Sequence, residues 1–313
     1  MVSVLEKDKI NKTLHDHDYK ALDFIGEGAY GKCLRVYSLK YYQTFVCKVI
    51  SQVRSFNNEI KSLASMSHPN IIKLYDHFKE YNKCFLILED CENGDIINYL
   101  RNNNVSNQEL IRICYEIINV IEYIHSQGLC HLDIKPSNIL VDKNGRVKLA
   151  DFGFSQSFDN LCNCDRIGTR LFRAPEAFED KPFDPFKADV WSMGITLYYI
   201  VFGTFPFHDY KEWINKLTLG VSSLRIPKFI CDELNTVLEM SINVRPFMRK
   251  SMTDIKDVFS KCPSLANVYS QINHNNSCAR VGLRNTFFSK GVTSILPHKN
   301  IRVQLSIPIL RKK

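Results

Sequence analysis

An α+β chain in two parts, strands first and helices after, follows from three features of the sequence. Over residues 22–50, short β-rich runs flank a glycine-rich turn. From Leu110 onward, apolar residues return at three- and four-residue steps through Ile113, Cys114, Ile117, Ile121 and Ile124, and Gly128 follows. That is the period of an amphipathic helix with a glycine past its end. Residues 188–202 are apolar around nearly the whole circumference of a helix, interrupted mainly by Asp189 and Ser192, which predicts a helix buried at the centre of the second part. At 313 residues with 45% hydrophobic content, the chain exceeds what one compact core usually holds, so two lobes or domains are expected.

Composition excludes several classes. No run of 18 apolar residues occurs, and Glu6, Lys7, Asp8 and Lys9 have no apolar segment of a signal peptide behind them. The reading is a soluble, intracellular chain with no transmembrane segment, in the cytoplasm or alternatively the nucleus. Eleven cysteines without framework spacing fit reduced thiols better than disulfides. The net charge of +8 is uneven, because Asp257 is the last acid and nine of the 41 Lys and Arg lie after it. A nearly neutral body with a basic tail gives no ground for specific nucleic-acid binding.

The elements are read in order. Gly26-Glu27-Gly28-Ala29-Tyr30-Gly31 lies between two strand-like runs. A dinucleotide fold needs a helix directly after the glycines, whereas residues 33–37 read as another strand, so the turn is a flap over phosphates. Residues 44–50 form the next strand and carry Lys48 among apolar neighbours, where an ammonium needs a counter-charge. Glu59, on a helix expected over residues 57–66, is the only acid between Val49 and Tyr75. Strands are expected around residues 71–74 and 85–88. The polar, glycine-bearing run from Glu89 to Asp95 then reads as a hinge between the lobes.

After the amphipathic helix comes His131-Leu132-Asp133-Ile134-Lys135-Pro136-Ser137-Asn138. An acid, a base and an amide lie within six positions, and Pro136 prevents a helix from running through them. Asp151-Phe152-Gly153 and Ala174-Pro175-Glu176 follow in order. Together with the Gly-rich turn, Lys48, Glu59, Asp189 and Arg245, this series resembles the eukaryotic protein kinases over about residues 19–260. Lys135, two places after the acid, resembles the Ser/Thr type. The general look, His68-Pro69-Asn70-Ile71-Ile72 included, is similar to the calcium/calmodulin-dependent and AMP-activated kinase-like group.

The resemblance implies a two-lobed fold, a small antiparallel β-sheet lobe over a larger, mainly helical lobe. It also implies transfer of the γ-phosphate of ATP, with Mg²⁺, to Ser or Thr hydroxyls of protein substrates. By it, Lys48 holds phosphates and Glu59 fixes Lys48. Asp133 orients and deprotonates the acceptor, Lys135 stabilises the moving charge, and Asn138 and Asp151 ligate Mg²⁺. ATP would lie against Ile25, Gly26, Glu27, Gly28 and Gly31. Cys33, Val46 and Leu140 would sandwich adenine, with Leu88 as gatekeeper. Backbone groups of Glu89 and Cys91 would meet its edge, and Asp95 would stand near the ribose. Glu176 and Arg245 would form a buried ion pair. Eleven positions between Lys48 and Glu59 are fewer than usual in the family, so an abbreviated connection is expected.

Where many relatives carry Arg before the catalytic acid, this chain has Leu132. Gln156 and Asp165 likewise replace a pocket base and the usual phosphorylated Thr. Activity is therefore expected not to need phosphorylation of the activation segment. Thr169 reads as structural, and Cys162 and Cys164 as solvated or half-packed thiols. Residues 1–18 read as an N-terminal extension. Residues 261–313 read as a mobile tail whose sharper alternative is docking on an acidic partner or in the chain's own cleft. The rival to the enzyme reading is a scaffold that keeps the fold for binding, and a weaker one is kinase action on a small molecule.

Overall fold

The computed structural model describes residues 4–28, 31–157, 170–179, 181–219 and 231–265. Cys162, Cys164, Asp165, Gly168, Thr169 and the tail beyond residue 265 lie outside the described residues. The chain runs α1 (Val4–Asp16), β1 (Tyr19–Gly28), β2 (Gly31–Ser38), β3 (Gln43–Ile50), α2 (Val53–Ser65), β4 (Leu74–Glu80) and β5 (Lys83–Leu88). These make the first lobe. Its five strands pair antiparallel in the order β1-β2-β3-β5-β4.

Residues 1–18 carry α1. Ile10 and Leu14, one turn apart, are buried with Tyr19, Val36, Phe45, Cys47 and Phe85 in a cluster on one face of the sheet. His17 stacks on Phe78 with ring centroids 3.8 Å apart. The expected strand at residues 71–74 lies elsewhere: β4 begins at Leu74, while Ile71 makes only an isolated bridge to Leu149. β4 is an edge strand of mostly exposed and half-buried side chains, so it lacks the apolar run that marks β5.

The second lobe holds α3 (Ile96–Asn102), α4 (Asn107–Ser126), β6 (Leu129–Cys130), β7 (Ile139–Val141), β8 (Val147–Leu149), β9 (Gln156–Ser157), α5 (Pro185–Phe202), α6 (Tyr210–Thr218), α7 (Asp232–Ser241) and α8 (Met252–Phe259). Ser106 caps α4 by accepting from Glu109 N–H, and Gly128 past its end adopts φ +70°. Asp184 caps α5, whose residues are buried almost throughout, as its apolar circumference predicts. No helix among the described residues is long and apolar enough to cross a membrane.

Candidate active site

The short β strands and tight turns around α4 and α5 aim the polar residues at one cleft. Asp189, fully buried in α5, accepts from His131 N–H at 2.7 Å, Leu132 N–H at 2.8 Å and His125 Nε2 at 3.1 Å. Those bonds hold Leu132 at φ +66°, a conformation that costs a non-glycine residue about 1–3 kcal/mol and needs such support. His131 is fully buried as expected, its Nε2 3.1 Å from Ala150 O and its ring against Phe152. The loop is thereby tied to the strand that leads to Asp151.

Within the loop, Lys135 Nζ donates to Asp133 Oδ2 at 2.6 Å. Asn138 Nδ2 donates to Asp133 O at 2.9 Å and to its Oδ2 at 3.1 Å. Pro136–Asn138 is a single 3-10 turn, and Ala150 N–H donates to Asn138 O at 2.9 Å, which sets Asn138 beside Asp151. Asp151 also takes the left-handed region, φ +66°.

Lys48 joins the two lobes. Its ammonium donates to Glu59 at 2.7 and 2.9 Å and to Asp151 Oδ1 at 2.8 Å. Burial alone pulls Lys48 down, but Glu59 and Asp151 outweigh it and hold its pKa above the usual range. Burial likewise lifts the Asp151 carboxyl, and Lys48 overcomes this and leaves it below the usual range. Both directions describe a charged pair. Fully buried Glu59 is lifted by burial, which Lys48 only partly offsets, so the pair depends on the short contact. The connection between β3 and α2 is two residues, Ser51 and Gln52, short as expected. The helix nevertheless begins at Val53, a turn before the expected residue 57, because Phe56 is drawn into the core.

The positions expected to face a nucleotide gather on β1, β2, β3, the hinge and, for Leu140, β7. Gly26 pairs with Cys33, Glu27 with Lys32 and Gly28 with Gly31, while Ile25 falls at a register shift and is exposed. A Cβ at Gly26 would meet nothing within 4 Å, so that backbone is open to close approach. Gly31 is needed for another reason: at φ +148° a Cβ would lie 2.3 Å from Val49 O. Cys33, Val46 and Leu140 are each half-buried, with Val46 opposite Leu88. Burial pushes the Cys33 thiol up, although Lys48 opposes it. At the hinge, Glu89 N–H donates to Lys73 O and Cys91 O accepts from Gly94 N–H, which leaves the Glu89 carbonyl and Cys91 N–H as the groups to offer. Arg35 Nε fixes this segment through Asp90 at 2.8 Å. Asp95 caps α3, accepting from Asn98 N–H, and bridges to Leu140.

One expected pair is wrong. Glu176 is bound by Arg249, at 2.5 Å from Nη1 and 2.8 Å from Nη2, and Arg245 is exposed. Pro246–Met248 forms a 3-10 turn starting from Arg245, and this turn brings the arginine four places later inward over Trp191. Sequence alone offers two arginines in one short run and nothing to choose between them. Ser55 was also not foreseen: a Cβ on Gly153 would lie 2.3 Å from its buried Oγ.

A family model described as the protein kinase domain matches residues 19–262. The chain belongs to the protein kinase family. Among its relatives, CBL-interacting serine/threonine-protein kinase 15 of Arabidopsis thaliana is 26% identical over 249 residues, covering 76% of this chain and 59% of that protein. The 3-phosphoinositide-dependent protein kinase 1 of the same plant is 30% identical over 254 residues, 74% of this chain and 52% of the relative. NUAK family SNF1-like kinase 2 of Homo sapiens is 28% identical over 272 residues, 80% and 42% respectively. This kinase domain chain thus spans about half the length of these relatives. The resemblance drawn from its motifs, to the Ser/Thr type and the AMP-activated kinase-like group, is borne out.

Proposed function

We propose that this kinase transfers the γ-phosphate of ATP to Ser or Thr hydroxyls of proteins, with Mg²⁺, and needs no phosphate on its activation segment. The observation that carries the reading is a pair of hydrogen-bonded sets, Glu59–Lys48–Asp151 and Asn138–Asp133–Lys135, joined where Ala150 N–H, next to Asp151, donates to Asn138 O. Phosphoryl transfer asks a protein for alignment and charge compensation more than for covalent chemistry, and this set supplies both.

Asp133 orients the acceptor hydroxyl and takes its proton. Lys135, already on Asp133 Oδ2, compensates charge as the phosphoryl group moves. Lys48, held by Glu59, pairs with the α- and β-phosphates of the substrate ATP. The backbone around Gly26 lies over them, and Cys33, Val46 and Leu140 form an apolar slot for adenine. The residues fit Mg²⁺: the Asp151 carboxylate and, because Asn138 donates through Nδ2, the Asn138 amide oxygen are hard donors. When bound, the metal supplies charge neutralisation across the phosphates. A groove lined by Leu171, Pro175, Phe178, Tyr210 and Ile214 continues from the segment ending at Glu176, which suits a peptide acceptor better than a small molecule.

Independence from activation-segment phosphorylation is supported by Leu132, which brings no cation beside Asp133 to receive such a phosphate. The test is transfer of labelled γ-phosphate to a Ser/Thr peptide library, beside Asp133→Asn and a phosphatase-treated sample. Loss of transfer in Asp133→Asn, with activity kept after phosphatase, is expected. Nucleotide binding without transfer by the unaltered chain would sink the enzyme reading, and activity lost after phosphatase would sink the second claim.

A further inference from the structure

A second constellation stands in the large lobe, in elements that carry none of the cleft residues. Cys231 occupies the cap position of α7, Glu233 lies in the first turn of that helix, and Cys262 follows α8. The two sulfurs and a Glu233 carboxylate oxygen all lie within 4.8 Å of one another. Cys262 is 2% exposed, whereas Cys231 and Glu233 are half-buried. Cys114 of α4, fully buried, lies close enough to feel the charge of both thiols. Nothing in the phosphate-transfer chemistry uses any of them.

We propose that Cys231, Glu233 and Cys262 bind a zinc ion that fastens the start of α7 to the end of α8. In a tetrahedral zinc site, with Zn–S of about 2.3 Å and Zn–O of about 2.0–2.2 Å, neighbouring ligand atoms stand roughly 3.5–3.8 Å apart. The three atoms all lie within 4.8 Å of one another, so no pair stands more than about 1.3 Å beyond that spacing. Two thiolates select zinc over magnesium or calcium.

A bare thiol pair would also fit a disulfide, but the carboxylate decides between them. A disulfide would leave the adjacent Glu233 carboxylate without a role, whereas a cation uses all three groups. On binding, each cysteine releases its proton to solvent and the sulfur lone pair enters the metal bond. No electron is transferred.

The other candidate cluster, His125, Cys130 and Asp189, is accounted for: Asp189 already anchors the catalytic loop and His125.

The test uses the full chain without an affinity tag. Metal content is measured by elemental analysis, and the chelator-stripped protein is then titrated with Zn²⁺ against a chromophoric chelator and with Co²⁺ by absorption. About one equivalent of zinc per chain is expected, with a sulfur-to-cobalt charge-transfer band and the visible bands of tetrahedral cobalt. Cys231→Ser should weaken binding by more than ~100-fold and Glu233→Gln by more than ~10-fold, since even outer-shell partners of a metal contribute ~10–100-fold. Both positions are half-buried, so these variants remain informative should the buried Cys262→Ser fail to fold. Binding that survives Cys231→Ser but disappears in Cys162→Ser/Cys164→Ser would move the metal to the activation segment and overturn the proposal. Less than about a tenth of an equivalent in either titration, or a Cys231–Cys262 disulfide in protein purified under reductant, would also overturn it.

Discussion

Replacing Arg249 with Met removes a guanidinium that no solvent reaches and that makes five contacts. Nη1 and Nη2 bind the two Glu176 oxygens, Nε donates to Asn243 O at 2.7 Å, Nη1 donates to Lys187 O at 2.8 Å, and the plane lies over Trp191. Met fills much of the stem but leaves the Glu176 carboxylate, 13% exposed, without its cation, and the Asn243 carbonyl without that donor, while Lys187 O keeps its bond within α5. Breaking one side of a buried pair costs about 3–5 kcal/mol. At about 2–4 °C per kcal/mol for a domain of this size, Tm should fall by roughly 6–20 °C. Arg245→Met, at an exposed site, should stay within about 0.5 kcal/mol of the parent. Urea and thermal unfolding of both variants, and of Glu176→Gln/Arg249→Met, provide the check. The double variant should cost less than the sum of its singles, since the stranded carboxylate is gone. Equal destabilisation by Arg245→Met and Arg249→Met would refute the assignment of the pair.

Three further outcomes are expected. Gly153→Ala should impair transfer, because its methyl meets Ser55 Oγ at 2.3 Å, an overpacking of about 1–3 kcal/mol; Ser55→Ala should restore activity, since the remaining contacts are 3.5–3.6 Å. Failure of that rescue in steady-state assays would show that the clash is not the cause. His68 accepts from Asn70 N–H at Nδ1, and burial, aided by Lys256, holds its pKa below 6.5. The unfolded chain therefore takes up the proton first as pH falls, so stability should drop below about pH 6.5 until the folded pKa is passed. His68→Asn, which keeps an acceptor and does not titrate, should flatten the urea midpoint between about pH 7.5 and about pH 5.5; an unchanged slope would contradict this. Leu14→Ala, at a site with no exposure, should cost about 2–5 kcal/mol, and less than about 1 kcal/mol in thermal unfolding would mean that α1 is not held on the sheet.

Where chemistry dictates residue type, the sequence was readable. A lysine buried among apolar residues must find an acid, and with the protein-kinase resemblance Glu59, the only acid between Val49 and Tyr75, could be named before any distance was known, whereas its second partner, Asp151, could not. Helices α4 and α5 were legible because burial on one face, or on all faces, writes itself into spacing. α1 was not: its segment is mostly polar, and the surfaces that hold Ile10 and Leu14 come from strands as distant in sequence as Phe85. Arg249 was missed because the identity of the inward arginine depends on a turn whose direction no composition reveals. Ser55 and the Cys231–Cys262 neighbourhood are likewise juxtapositions made by packing, with no period or motif to announce them.

The two-residue link before α2 puts that helix on a short leash. Ser51 and Gln52 fully extended reach about 7 Å, so an outward swing large enough to part Glu59 from Lys48 soon exhausts the slack. The remaining length is stored in the first turn of the helix itself, where Gln52 provides no side-chain cap and no acid meets the dipole. Paying out that turn strips Phe56 from the core, at about 1.5–3 kcal/mol, and withdraws Ser55 from Gly153. Because Glu59 and Ser55 ride on the same helix, any outward swing of α2 carries both away together, the one from Lys48 and the other from Gly153.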